Sequence, residues 1–224
     1  MSRAAVRTRL VLFDLDGTLV DTAQDLAAAV NQCRTSRGLT PTPLHELRPW
    51  TSHGARGLIR CAFGIGPEDA GYEALRTEFL NHYAQALCVH SRLYPGVEQA
   101  LDAIEGSNQL WGVVTNKAAR FTEPLMRALG LESRAACVVS GDTVARPKPD
   151  PAPILYALDR CSVQPPECVY IGDDPRDVQA GRAAGVRTVA AAYGYLGGAD
   201  DVAAWGADLV IQGPLDLLPW ILPQ

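Results

Sequence analysis

The sequence predicts an α/β protein in which helices cover both faces of a parallel sheet, with a small all-helical unit inserted after the first strand. Three observations predict it. Short apolar runs alternate with helix-period segments along most of the 224 residues. Residues 41–92 carry helical spacing but no convincing strand. Polar residues directly follow several apolar runs, which is where open α/β sheets bind ligands, at the carboxyl ends of their strands.

In chain order, residues 1–9 read as a frayed arm and Leu10–Phe13 as a buried strand. Asp14-Leu15-Asp16-Gly17-Thr18 follows at once. Carboxylates at i and i+2 on extended backbone lie on one side, so they repel unless a cation or other donors satisfy them. From Thr22 the spacing of Leu26, Ala29, Val30 and Cys33 is helical, and Gly38 is a stop. Pro41 and Pro43 break the chain. Helical segments then fall at 44–48, 54–63 and 72–87. They read as an insert with its own small core, or more plainly as connecting helices of one domain. Helix 97–104 returns the chain to alternation. Strand 110–114 precedes Thr115-Asn116-Lys117 and helix 120–129. Strand 137–139, a loop with Arg146-Pro147-Lys148-Pro149, and helix 151–160 come next. Strand 168–171 runs into Gly172-Asp173-Asp174, then helix 175–184, with further strands at 188–192 and 208–211.

Composition excludes several classes. With 47 % hydrophobic residues, 20 % charged residues and a net charge of −5, the chain is ordinary for a globular protein. No basic run marks a nucleic-acid or membrane partner. Only four apolar residues separate Arg9 from Asp14, too few for a signal-peptide core, so a cytoplasmic location is expected. The six cysteines form no CxxC and no Cys/His metal spacing, and read as reduced.

Four polar signals follow four expected strands: Asp14 with Asp16, Thr115, Lys148, and Asp173 with Asp177. Singly, each has a plainer reading; Gly-Asp-Asp-Pro, for instance, suits a helix cap with proline at the first position. Together they suit phosphoryl transfer. A phosphate dianion repels a carboxylate nucleophile, and a hard divalent cation held by Asp14 and Asp173 neutralises it. The absence of a His/Cys cage argues against zinc. Lys148 adds a point charge, and the Thr115 hydroxyl and turn amides can bind non-bridging oxygens.

DLDGTLVDT, VVTNK, RPKPDP and GDDPRDVQAGRAAG resemble, in order and spacing, the four motifs of the haloacid dehalogenase superfamily of phosphohydrolases. The resemblance spans nearly the whole chain. It implies a Rossmann-like core over 1–20 and 93–224 and a mobile helical cap over 21–92. It implies that Asp14 is the nucleophile forming an aspartyl-phosphate. Asp16 is then the acid that protonates the leaving oxygen and the base that activates water. Thr115 and Lys148 are the phosphate-binding pair, and Asn116 is a substrate-binding residue. Mg2+ is held by Asp14, the Asp16 main-chain carbonyl and Asp173, with Asp177 outside them. Asp174 stands where relatives often carry Ser or Thr, and is expected to cap a helix.

The tail of the first motif resembles the phosphoglycolate phosphatase group. Ser52-His53-Gly54-Ala55-Arg56, Val89–Leu93, Leu110–Lys117 and Tyr193–Leu196 are more similar to bacterial N-acetylmuramic acid 6-phosphate phosphatases. Arg56 and His53 are candidates for reading the substrate, Arg56 through a carboxylate that both substrates carry. The expected substrate is therefore a small phosphate monoester, and the protein a monomer or homodimer. A sugar phosphomutase of the same fold is an alternative. Asp16 argues against a dehalogenase, and retention of Asp14 and Asp173 argues against a non-catalytic binding protein.

Overall fold

A computed structural model describes residues 7–198 and 201–222. Strand β1 (Leu10–Phe13) is buried along its whole length. The chain then forms β2 (Val20–Asp21), α1 (Ala23–Thr35), α2 (Leu44–Leu47), a 3-10 turn (Arg48–His53), α3 (Gly54–Phe63), α4 (Tyr72–Gln85) and β3 (Arg92–Leu93). Next come α5 (Val97–Gly106), β4 (Leu110–Val114), α6 (Ala119–Ala128), β5 (Cys137–Val139) and α7 (Ala152–Cys161). The last elements are β6 (Cys168–Gly172), α8 (Pro175–Ala184), β7 (Arg187–Ala191), β8 (Leu209–Ile211) and a short α9 (Leu218–Ile221).

Six strands form one parallel sheet in the order β5-β4-β1-β6-β7-β8. Counted among these six alone, that is the doubly wound order 3-2-1-4-5-6. Strand β1 is central, with Phe13 opposite Val113 on one side and Ile171 on the other. Period-two alternation sorts its side chains between two cores. Val11 and Phe13 join Val97, Leu101, Leu125 and Met126 from α5 and α6. Leu10 and Leu12 join Ile154, Leu158, Ala180 and Ala184 from α7 and α8. The sheet is thus covered on both faces, as expected.

A third apolar cluster lies among the inserted helices. Leu26 and Val30 of α1 meet Leu47, Leu58 and Ile59, and Leu75 and Phe79 of α4, all buried. Asp25 of α1 is 3 % exposed and its carboxylate closes the insert. It accepts the backbone N–H groups of Val89, His90 and Ser91 at 2.8–3.1 Å and the Ser91 hydroxyl at 2.7 Å.

Two expectations change. Thr8 and Arg9 are tied to the sheet just before β1 rather than forming an arm. Thr8 is buried, the Arg9 amide donates to Glu167 O, and Leu110 N donates to Arg9 O. Backbone pairing extends there regardless of side-chain polarity. The remaining arm residues, 1–6, lie outside the described residues. In addition, β2 and β3 pair antiparallel, Val20 with Leu93 and Asp21 with Arg92, where the insert leaves and rejoins the core. Two-residue strands are too short to show a period. The six cysteines form no disulfide. No helix among the described residues is long and apolar enough to cross a membrane.

Asp25→Ala leaves three backbone donors and one hydroxyl without their acceptor. We expect a loss of about 2–4 kcal/mol in unfolding free energy, read by chemical denaturation.

Candidate active site

The carboxyl ends of β1, β4 and β6, with the loop after β5, bring the expected residues together. Asp14 follows β1, and its amide donates to Ile171 O at 2.8 Å, fixing it beside the end of β6. Asp173 follows β6 and is fully buried. Asp177 lies in the first turn of α8 and is 2 % exposed. The carboxylates of Asp14, Asp173 and Asp177 lie within 4.8 Å of one another.

Lys148 reaches into this cluster from the β5 loop. Its Nζ is 2.9 Å from Asp14 Oδ1 and 2.7 Å from Asp177 Oδ1. It also donates to Tyr170 Oη at 2.7 Å and to Val114 O at 3.1 Å. Burial alone pulls the ammonium pKa down, but Asp14 and Asp177 outweigh it and hold the pKa above its ordinary value. Asp14 is pushed up to about 6, first by burial and then by Asp177 and Asp16, against the pull of Lys148. Asp173 is raised further above the carboxylate range, by burial and then by Asp14 and Asp177.

Three buried carboxylates against one lysine leave an excess of negative charge out of water, a costly arrangement without a counter-ion. The donors are all carboxylate oxygen, with no histidine or thiol in the cluster. That set fits a hard divalent cation such as Mg2+ and not zinc. Asp173 is held ready by three donors: Thr18 Oγ1 at 3.1 Å, Ser52 Oγ at 2.9 Å and Tyr195 N at 2.8 Å. Two glycines permit this closeness. A Cβ on Gly17, whose φ is +90°, would meet Asp173 Oδ2 at 2.2 Å, and one on Gly194 would meet Asp173 Cβ at 2.2 Å.

Asp16 sits apart from the cluster with its own lysine. Lys117 Nζ is 3.0 and 3.2 Å from its two oxygens, and the Thr22 hydroxyl donates to Oδ1 at 2.5 Å. Sequence reasoning missed Lys117, although VVTNK contains it; a lysine two residues after Thr115 shows no pattern that distinguishes it from a solvated one. Burial opposes its charge, but Asp16 and Tyr83 hold its pKa above the ordinary value.

Thr115 is buried and lines the same cavity as Asp14, Asp16 and Lys148. Asn116, expected to bind substrate, also lines it, but its side-chain amide grips the Lys148 peptide. Its Nδ2 donates to Lys148 O and its Oδ1 accepts Lys148 N, both at 2.9 Å. Asp174 caps α8 as expected, accepting Arg176 N at 2.9 Å, and pairs with the Arg176 guanidinium at 2.7 Å. Burial raises its carboxyl pKa, but Arg176 more than offsets this and holds it low. Arg176 also donates to Ser52 O at 2.8 Å, tying the insert to α8.

The cavity above these residues has a volume of about 330 Å3. Its outer wall comes from the insert and α6, including Thr51, His53, Arg56, Tyr83 and Arg120. Arg56 is exposed and forms no salt bridge among the described residues. His53 lies 3.6 Å from Asp174, and burial and then Arg176 lower its pKa.

The chain is 45 % identical over 212 residues to an N-acetylmuramic acid 6-phosphate phosphatase of Pseudomonas putida, with 95 % of each covered. It is 44 % identical to a phosphoglycolate phosphatase of Xanthomonas campestris, over 93 % of this chain and 94 % of that one. The crystal structure of a predicted phosphoglycolate phosphatase from Haemophilus somnus superposes with a TM-score of 0.84 at 28 % identity, covering 95 % of this chain and 97 % of that one. The haloacid dehalogenase-like hydrolase family matches residues 11–191, and with the four strand-end motifs assembled around one buried carboxylate cluster the chain belongs to that family.

Proposed function

We propose that the protein is a Mg2+-dependent phosphomonoesterase that works through an aspartyl-phosphate on Asp14, with N-acetylmuramic acid 6-phosphate as substrate. The observation that carries the reading is the buried Asp14–Asp173–Asp177 cluster with Lys148, of which Asp14, Asp177 and Lys148 line a 330 Å3 cavity. Asp14, the Asp16 carbonyl and Asp173 would hold the cation, with Asp177 beside them. The chemistry that Mg2+ supplies when bound is charge, which lets a carboxylate approach a phosphate dianion.

The chain's own residues do the rest. Lys148 and the Thr115 hydroxyl take the non-bridging phosphate oxygens while Asp14 attacks phosphorus. Asn116 keeps Lys148 in place through its peptide. Asp16 gives a proton to the leaving oxygen and later takes one from the attacking water. Lys117 and Thr22 orient its carboxylate. Residues 21–92 act as a cap that closes over the site and excludes water from the first transfer. Arg56 faces the carboxylate of the substrate.

The second reading is 2-phosphoglycolate. Relatives with both names match at almost equal identity. The cavity volume supports the sugar, because about 330 Å3 falls within the range of roughly 300–1,000 Å3 that encloses larger ligands, and a two-carbon acid fills little of it.

The test is phosphate release from N-acetylmuramic acid 6-phosphate and from 2-phosphoglycolate, side by side, with Mg2+ and with EDTA. We expect a larger kcat/KM on the sugar phosphate and no turnover in EDTA; preference for phosphoglycolate would establish the second reading. Asp14→Asn should abolish turnover with the fold retained, and near-normal activity would sink the nucleophile assignment. Asp16→Asn should cost about 10²–10⁴-fold in kcat. Lys117→Met should lower kcat about tenfold or more with little change in KM, because it frees the Asp16 carboxylate without touching the phosphate site.

A further inference from the structure

Two buried hydroxyls in the cavity wall have no partner. Thr51 of the 3-10 turn is 3 % exposed and Tyr83 of α4 is 1 % exposed. Neither Thr51 Oγ1 nor Tyr83 Oη makes a hydrogen bond among the described residues. Both residues line the cavity that holds Asp14, Asp16 and Lys148. The Arg187 Nε is the other such side-chain atom among the described residues, and Arg187 is not among the residues that line this cavity.

Folded proteins leave few buried polar groups unsatisfied, because each costs about 1–3 kcal/mol. Two in one cavity therefore call for an explanation from the cavity. Lys117 does not supply it. Its ammonium donates to both Asp16 oxygens, and its approach to Tyr83, 4.7 Å from the ring centroid, offers the phenol oxygen a donor only. An ammonium has no lone pair, so it cannot accept the phenol proton. Burial keeps that proton on, pushing the phenol pKa up to about 12. The Tyr83 hydroxyl is thus a donor without an acceptor. Thr51 offers one donor and two lone pairs with nothing opposite them.

A two-carbon phosphoester carries a single carboxylate, which can accept one hydroxyl proton but offers no hydrogen to the Thr51 lone pairs. A phosphorylated monosaccharide carries several hydroxyl or amide groups, spread over a ring that suits the cavity volume. We infer that Thr51 and Tyr83 are specificity-determining residues, whose hydroxyls bind hydroxyl or amide groups on the ring of a phosphorylated sugar. This inference rests on the phosphomonoesterase reading above and adds the residues that select the sugar. Such selection is effective, since a site built to hydrogen-bond a substrate group rejects an analogue that lacks it.

The test uses Thr51→Val, which replaces the hydroxyl by a methyl group of similar size, and Tyr83→Phe, which removes the hydroxyl. The readout is the ratio of kcat/KM on N-acetylmuramic acid 6-phosphate to that on 2-phosphoglycolate. We expect each variant to lower this ratio about tenfold, chiefly through KM on the sugar phosphate. Thermal melting of the variants should show no loss of stability, because the removed groups had no partner in the folded chain. An unchanged ratio overturns the inference and leaves the phosphatase reading standing. So does preference of the unaltered enzyme for 2-phosphoglycolate. Failure of the unaltered enzyme to release phosphate from either ester, or from p-nitrophenyl phosphate, overturns the phosphatase reading itself, and the inference with it.

Discussion

Three carboxylates crowded around one lysine, all out of water, form the constraint on which the site depends. Asp14, Asp173 and Asp177 face a single Lys148 in a low-dielectric setting, where further positive charge would offset the cost of crowding their carboxylates together. The fold nonetheless assembles them with care. Strands β1 and β6 are hydrogen-bonded neighbours, so their ends deliver Asp14 and Asp173 side by side. Gly17 and Gly194 clear the space around Asp173 that any side chain would fill. Asn116 fixes the peptide from which Lys148 reaches in. Such an arrangement makes sense for a site that receives a cation and a phosphate.

The sheet and the insert divide the remaining work. Two apolar cores, one on each face, hold the six strands rigid beneath the site. The inserted helices have their own cluster, which also takes in Phe121 of α6, and polar links join them to the core: Ser52 to Asp173, Arg176 to Ser52, and Tyr195 to the start of α1. The two lysines also divide their tasks. Lys148 lies among the cluster, while Lys117 keeps Asp16 away from it.

Much of this was legible in the sequence, for identifiable reasons. Leu10–Phe13 and 168–171 read as buried strands because both faces of a covered parallel sheet are apolar. Asp14, Thr115, Lys148 and Asp173 stood out because each follows such a strand or its loop. What escaped was set by tertiary contact. Lys117 looks solvated until β1 and β4 lie side by side. The role of Asp25 depends on a loop more than sixty residues away. Tyr83 looks like an ordinary helical position and Thr51 falls between expected helices, and only the three-dimensional packing shows two residues of the cavity wall with unpartnered hydroxyls.

The central claim is that the carboxylate cluster is built for a hard divalent cation. Calorimetric titration of the protein with Mg2+ tests it directly, alongside an Asp173→Asn variant whose fold is checked by circular dichroism. One Mg2+ should bind per chain, and the variant should lose it. No binding to the unaltered protein, or equal binding to Asp173→Asn, would contradict it.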